Sequence, residues 1–286
     1  MTNNKDVISF QGETGANSDL SCRQIRPNMR TLPCNSFEET FAAVKNGRAA
    51  LALIPIENSV AGRVADIHNL LPESGLHIIG EHFQRVEHQL LAVPGATLDD
   101  LKYVHSHVHA LNQCRNVIKR NNITPVVHVD TAAAAREISE RGDKSHGAIA
   151  SELAGDIYRL KTLKRNVEDA DHNTTRFLLM APEPLAELAK DLKTMTSFIF
   201  RVRNVPAALY KSLGGFATNS VNITKLESYL VGGEFVAAQF YAEIEGHADN
   251  SAVALAFEEL EFYSSEVRIL GVYPAHPFRE TLRKTK

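Results

Sequence analysis

The chain contains no tryptophan, only three cysteines, and no real excess of charge of either sign: 31 Lys and Arg stand against 34 Asp and Glu, a formal net charge of −3 over 286 residues. Without a basic excess there is no electrostatic footprint for a polyanion, which argues against nucleic acid as a partner. Cys22, Cys34 and Cys114 are odd in number and widely spaced, fitting neither a disulfide framework nor a zinc knuckle, so reduced and mostly buried thiols are expected. No uncharged apolar stretch approaches the roughly 18 residues of a membrane span. Met1 to Asp6 lacks the cationic start and apolar core of a signal peptide, and a soluble, cytoplasmic protein without membrane contacts is the expectation.

What is present is enough apolar residue, 44% of the chain, to fill cores, and a length that suggests two domains at roughly 100 to 200 residues each. From Val7 to Met180 short β-rich runs alternate with helical patterns, the signature of an α/β layer structure with a largely parallel sheet. Strands are expected at Val7–Phe10, Ala50–Ile56, Leu76–Glu81, Gln89–Val93, Lys102–His105, Pro125–His128, Gly147–Ala150 and Arg176–Met180. Helices are expected at Ser18–Ile25, Phe37–Asn46, Val64–Leu71, Leu111–Arg120 and Thr131–Arg141. One sheet and two lobes with a cleft are equally compatible with that many strands. At Ala181-Pro182-Glu183-Pro184 the pattern breaks, because Pro-x-Pro removes two backbone donors and stiffens the chain. The expected division is therefore a first domain over 1–181, a linker over 182–195 and a second domain over 196–280. The second domain reads strand Ser197–Val202, helix Pro206–Ala217, strand Val221–Val231, turn Gly232-Gly233, strand Phe235–Glu245, helix Asn250–Tyr263 and strand Val267–Val272. That order, βαββαβ, makes an α+β ferredoxin-like sandwich.

Several local patterns carry candidate chemistry. Gly12-Glu13-Thr14-Gly15-Ala16-Asn17-Ser18 follows the first strand and opens a helix, so its amides suit an anion or simply make a tight turn. Asn58 and Ser59 end a buried strand, where open α/β sheets bind ligands; they serve equally well as caps for the helix near Val64. His105, His107 and His109 alternate, but the strand is expected to end there, so their rings diverge and a metal is disfavoured. Arg176 enters an apolar strand and needs an anionic partner, either an internal carboxylate or a bound substrate. No Ser-His-Asp set or cysteine nucleophile context is present.

Taken in order, these pieces resemble one family over about Val7 to Pro274: prephenate dehydratase fused to a C-terminal ACT domain. The resemblance rests on Phe10-Gln11-Gly12 through Gly15 and Ser18, on Ile54-Pro55-Ile56-Glu57-Asn58-Ser59 with Gly62, and on Ser106-His107 with Gln113-Cys114. It continues through Asp130-Thr131-Ala132, Ala148-Ile149-Ala150-Ser151 and Thr175-Arg176-Phe177. In the second domain Pro206-Ala207-Ala208-Leu209 resembles the family's Gly-Ala-Leu-Val region, with Ala207 where glycine is usual. Leu226-Glu227-Ser228-Tyr229 resembles its Glu-Ser-Arg-Pro region, with Tyr229-Leu230 in place of Arg-Pro.

The resemblance implies a two-lobed, periplasmic-binding-protein-like catalytic domain and a lyase that turns prephenate into phenylpyruvate with loss of water and carbon dioxide, on the route to phenylalanine. An arogenate dehydratase and a non-catalytic small-molecule binding protein are the alternatives. It implies catalytic roles for Thr175, Arg176 and Phe177, substrate contacts from Asn58, Ser59, Ser106, Gln113 and Thr131, and neither metal nor cofactor. It also implies phenylalanine as an allosteric effector near Asn204, Ala208, Leu209, Asn222, Glu227 and Ser228, bound between paired ACT domains of a homodimer or homotetramer. An aliphatic hydroxyl is a very weak acid, so Thr175 is read as a hydrogen-bond donor to the leaving oxygen.

Overall fold

The computed structural model describes residues 4–64, 67–189, 191–203, 205–230 and 238–283. By internal contacts the chain forms two compact units, Met1–Arg63 with Phe83–Phe177, and Val64–His82 with Leu178–Lys286. This division does not coincide with the limits 1–181, 182–195 and 196–280: it falls inside a strand at Phe177, and it assigns 64–82 to the C-terminal unit. Sequence patterning misses that because the strands involved run unbroken through the division.

The elements up to the division are β1 (Val7–Gln11), α1 (Asn17–Ile25), β2 (Arg30–Cys34), α2 (Phe37–Lys45), β3 (Leu51–Asn58), β4 (Gly62–Arg63), α3 (Ile67–Glu73) and β5 (His77–Arg85). There follow β6 (Gln89–Ala92), β7 (Tyr103–His107), α4 (Val108–Gln113), α5 (Arg115–Arg120), β8 (Thr124–His128), α6 (Thr131–Arg141), β9 (His146–Ala150), α7 (Glu152–Ile157), β10 (Lys161–Lys164) and β11 (Thr174–Ala181). Two sheets result, ordered β2-β1-β3-β11-β5, with β4 beside β3, and β10-β6-β9-β7-β8. The α/β expectation holds in its two-lobed form. β1 runs parallel to β2 and β3, and β7 parallel to β8 and β9, while β6 is antiparallel to β9 and β10.

Local chemistry explains where these helices begin. Asp130 caps α6 by accepting from the Ala132 and Ala133 amides, at 2.8 and 3.0 Å, and Gly142 closes it in the left-handed conformation. The helix then buries Ala132, Ala134, Ala135 and Ile138 in a core shared with Leu90, Leu91, Val104 and Ile149. Ser36 and Ser151 cap α2 and α7 in the same way. The helix expected over Leu111–Arg120 is instead two short ones broken at Cys114, because the Asp169 amide takes the Gln113 carbonyl at 2.6 Å and the Asp169 carboxylate takes the Asn116 amide. Three strands are not expected from the sequence: β4 is a two-residue pairing beside β3, and β2 and β10 are both sheet edges with Pro or Lys, where exposure erases the apolar signal.

The C-terminal elements are β12 (Thr194–Val202), α8 (Ala208–Thr218), β13 (Ile223–Leu230), β14 (Ala238–Glu245), α9 (Ser251–Tyr263), β15 (Ser264–Pro274) and α10 (Phe278–Arg283). The order β13-β14-β12-β15, antiparallel at each junction, is the expected βαββαβ sandwich; the Gly232-Gly233 turn lies outside the described residues. Phe198, Phe200, Phe216, Phe240 and Phe257 fill its core, with Phe198 edge-on to Phe257 at 4.9 Å. Each such ring contributes roughly 1.5–3 kcal/mol on burial. Gly215 lets α8 and α9 approach, since a Cβ there would come within 2.7 Å of Glu259 Cβ. Cys22, Cys34 and Cys114 are all buried and free.

Candidate active site

The carboxyl end of β3 delivers Asn58 to the start of β11, and their polar groups interlock. Asn58 Nδ2 donates to Thr175 Oγ1 at 2.9 Å and to Asn173 Oδ1 at 2.8 Å. Asn58 Oδ1 accepts from the Val60 and Ala61 amides at 2.9 and 2.7 Å, a turn that locks the side chain. Asn173 Nδ2 donates on to Gln113 Oε1 at 2.9 Å, which also lies 3.0 Å from His88 Nε2. Asn58, Gln113 and Thr175, scattered in sequence, thus meet through Asn173 and His88. The break at Cys114 makes this possible, since the Asp169 loop that causes it holds the end of α4, which carries Gln113.

The remaining expected site residues divide. Ser59 joins the β11 side of the cluster, its Oγ donating to the His172 carbonyl at 2.6 Å and accepting from the Thr174 amide at 2.9 Å. Ser106 is fully buried and its hydroxyl donates to the Ile149 carbonyl, so its hydrogen is spent inside the second sheet. Thr131 opens α6, and no hydrogen bond joins it to the Asn58 cluster among the described residues. It adjoins a cleft of about 300 Å³ bordered by Gln11, Gly12, Asn35, Val129 and Asp130. Gly12 and Gly15 belong to the turn before α1; Gly15 sits at φ +93°, where a Cβ would come within 3.0 Å of Ala154 Cα, and Ser151 Oγ donates to its carbonyl. Phe177 is a core residue at 1% exposure.

Arg176 is 3% exposed and its Nη1 donates to Glu57 Oε1 at 2.9 Å, with its guanidinium 5.7 Å from the centre of the Phe83 ring. Of the two readings the sequence left open, the described structure shows the internal ion pair. His105 turns away to His146 (Nε2 to Nδ1, 2.8 Å), but His107 Nδ1 accepts the His109 amide at the start of α4 and those two rings lie 5.1 Å apart, centre to centre, so only His105 diverges and the expected divergence of all three is corrected. Burial holds the imidazoles of His88, His105 and His107 below the ordinary histidine range. Among the described residues no three His, Cys, Asp or Glu side chains are arranged to hold a metal.

Of the residues expected to hold an effector, Ala208 and Leu209 form the first turn of α8, Asn222 precedes β13, and Glu227 and Ser228 lie on that edge strand; Asn204 lies outside the described residues. Ala207, at the glycine position, adopts φ +60°, ψ +20°. Tyr229 Oη accepts from Gln239 Nε2 at 2.7 Å, and burial pushes its pKa up to about 12.

The sequence reading assigned no role to Asn173 or His88. Asn173, just ahead of β11, was legible in principle, since two positions before Thr175 an extended chain points its side chain to the same side. His88 carries no local signal beyond a lone imidazole ahead of an apolar strand.

Two α/β sheets with a polar cluster at strand ends, followed by a βαββαβ unit, define a two-lobed α/β protein of the small-molecule-binding kind with an α+β module. The chain belongs to the prephenate dehydratase family, whose model matches residues 8–185. A bifunctional N-acyl-homoserine lactone acylase/prephenate dehydratase from Komagataeibacter europaeus is 53% identical over 277 residues, spanning 97% of this chain and 99% of its own length. Arogenate dehydratase/prephenate dehydratase 1 from Arabidopsis thaliana is 38% identical, over 93% of this chain and 71% of its own. The crystal structure of prephenate dehydratase in complex with L-Phe from Arthrobacter aurescens superposes with a TM-score of 0.85 at 28% identity, covering 98% of each chain. No helix among the described residues is long and apolar enough to cross a membrane.

Proposed function

We propose that the chain converts prephenate to phenylpyruvate, with Asn58, Gln113 and Thr175 at the reacting centre. The observation that carries this reading is the Asn58–Thr175 hydrogen bond: because Asn58 donates, the Thr175 oxygen accepts and its own hydrogen is turned to another acceptor. Prephenate supplies one in its ring hydroxyl. The ring carbon–oxygen bond breaks as the bond to the ring carboxylate gives up its electron pair to the ring, carbon dioxide leaves, and the departing oxygen takes a proton to become water. Thr175 assists by hydrogen-bonding that oxygen as charge develops on it. Gln113, whose amide nitrogen meets no acceptor among the described residues, suits a substrate carboxylate, whereas Ser59, its hydroxyl hydrogen spent on the His172 carbonyl, braces the start of β11. Ser106, Thr131, Arg176 and Phe177 then shape and support the site. Aromatisation and release of carbon dioxide provide the drive, so the chemistry calls for neither metal nor organic cofactor.

Arogenate, with an amino group in place of the side-chain ketone, is a second substrate reading, carried by the names of the plant relatives. Acyl-homoserine lactone hydrolysis is a further one, carried by the 53% identical relative. Purified full-length protein incubated separately with prephenate, arogenate and an N-acyl-homoserine lactone decides among them; absence of phenylpyruvate from prephenate overturns the primary reading.

We further read residues 196–280 as a regulatory ACT domain that binds phenylalanine near Asn204, Ala208, Leu209, Asn222, Glu227 and Ser228, between copies of a dimer or tetramer in the cytoplasm. Its support is the βαββαβ topology and the L-Phe held by the Arthrobacter relative.

A further inference from the structure

The hydrogen bonds around Asn58 have a direction that can be read without seeing a hydrogen. Two backbone N–H groups, those of Val60 and Ala61, point at one terminal atom of Asn58, so that atom is the oxygen and the other is the nitrogen. The nitrogen therefore donates, to Thr175 Oγ1 and to Asn173 Oδ1. With its oxygen accepting, Asn173 must donate through Nδ2 to Gln113 Oε1. That oxygen is then the acceptor for His88 as well, which requires a proton on His88 Nε2. His88 is 2% exposed, and its Nδ1 has no hydrogen-bond partner among the described residues. A second proton there would be a buried donor with nothing to bond, so the ring is neutral. The Glu168 carboxylate is engaged by the His88 backbone amide at 2.9 Å.

We propose that His88 is a positioning residue, held as the neutral Nε2–H tautomer, which closes a one-way hydrogen-bond chain and so fixes Gln113 and Thr175 as donors towards substrate. The chain consumes the acceptor atoms of Asn58, Asn173 and Gln113, and among the described residues what remains unspent, besides one hydrogen on the buried Asn173 amide, is the Thr175 hydroxyl hydrogen and the Gln113 amide hydrogens. A dianion losing hydroxide needs that polarity; a flipped Gln113 would turn lone pairs towards a carboxylate. His88 opposes the flip, since its Nε2–H would then face an NH₂ group. Its kinetic part rests on the dehydratase reading, whereas the tautomer does not.

The test uses the full-length protein. Nitrogen-15 spectra of the histidine rings should show His88 with a protonated Nε2 and bare Nδ1, unchanged through the ordinary histidine titration range. His88→Phe keeps the ring shape but loses the donor, and kcat for prephenate should fall roughly 10- to 100-fold, the scale of a misplaced catalytic group. His88→Gln, whose amide nitrogen can reach the same acceptor, should recover most of that loss at a melting temperature similar to that of His88→Phe. An Nδ1–H or doubly protonated ring, unchanged kcat in His88→Phe, or equal losses in both variants would each overturn the proposal. A wild-type protein inactive on prephenate would sink the dehydratase reading, and the spectrum would still decide the tautomer.

Discussion

Replacing Thr175 by alanine separates catalysis from stability in one substitution. Its hydroxyl accepts one of the two hydrogen bonds made by Asn58 Nδ2 and offers its hydrogen outwards. Deleting it leaves Asn58 still bonded to Asn173 and anchored by two amides, and the half-buried position admits water, so the folding cost stays below about 1 kcal/mol. For a protein of this size that is a fall of about 2–4 °C in melting temperature at most. The kinetic cost is of another order, because a donor aimed at developing charge is typically worth 10²-fold or more in kcat, about 2.7 kcal/mol of barrier. Thr175→Ser keeps the hydroxyl and should stay within about tenfold of wild type. Because the group acts as a hydrogen-bond donor and not as a titrating acid, the residual activity of Thr175→Ala should keep the wild-type pH profile. Steady-state assays of phenylpyruvate formation with thermal melts on the same samples make the measurement. Wild-type kcat in Thr175→Ala would refute the assignment, and activity lost in step with the melting temperature would reduce Thr175 to a structural part.

Arg176→Lys keeps the charge but loses the planar fork, and with Glu57 as the partner in the structure it should cost about 1–3 kcal/mol in thermal or urea unfolding while KM holds; an unchanged melt with a raised KM would make Arg176 a substrate clamp after all. Ala207→Gly should stabilise the protein by about 0.5–1 kcal/mol, since it relieves a left-handed alanine, and a lower melting temperature would show that the strain is absent. Gly15→Ala should destabilise by roughly 1–3 kcal/mol from the contact with Ala154 alone, with positive-φ strain added, and a soluble variant with unchanged urea midpoint would contradict the packing. Incubation with a chelator should leave turnover intact, and a loss restored by zinc would point back to His105, His107 and His109.

How far the sequence sufficed follows from how local each signal is. The strands β1, β3 and β9 carry continuous apolar runs because both faces are covered, and their periodicity is visible without any partner. Helix α6 announces itself through Asp130 before it and Gly142 after it. By contrast the exposed Lys161–Lys164 edge strand and the break at Cys114 depend on what lies alongside them, in the second case on Asp169, some 55 positions away. The site shows the same split. Asn58 and Thr175 stand out at strand ends, but nothing near His88 says that its ring will meet Gln113, because their encounter is a property of the folded chain.

The same logic explains why the C-terminal unit reaches back to Val64–His82. Glu81, whose side chain is wholly buried on β5, accepts from Arg279 at 2.6 and 2.8 Å, and from the His276 amide at 2.9 Å. Arg279 Nη2 also reaches Glu243, itself bonded by Tyr241 Oη at 2.6 Å. A Cβ on Gly271 would collide with the Ile78 carbonyl, so β15 packs against β5 as closely as backbone allows. Cutting the chain at Pro182 or Thr194 would therefore strip Arg279 of a buried carboxylate partner and open a backbone-tight contact to water. Removing one partner of a buried pair costs about 3–5 kcal/mol, a large share of the 5–15 kcal/mol that holds a typical domain together. The unit that folds is thus longer than the βαββαβ pattern suggests, and any binding of phenylalanine by this module is properly measured on the intact chain.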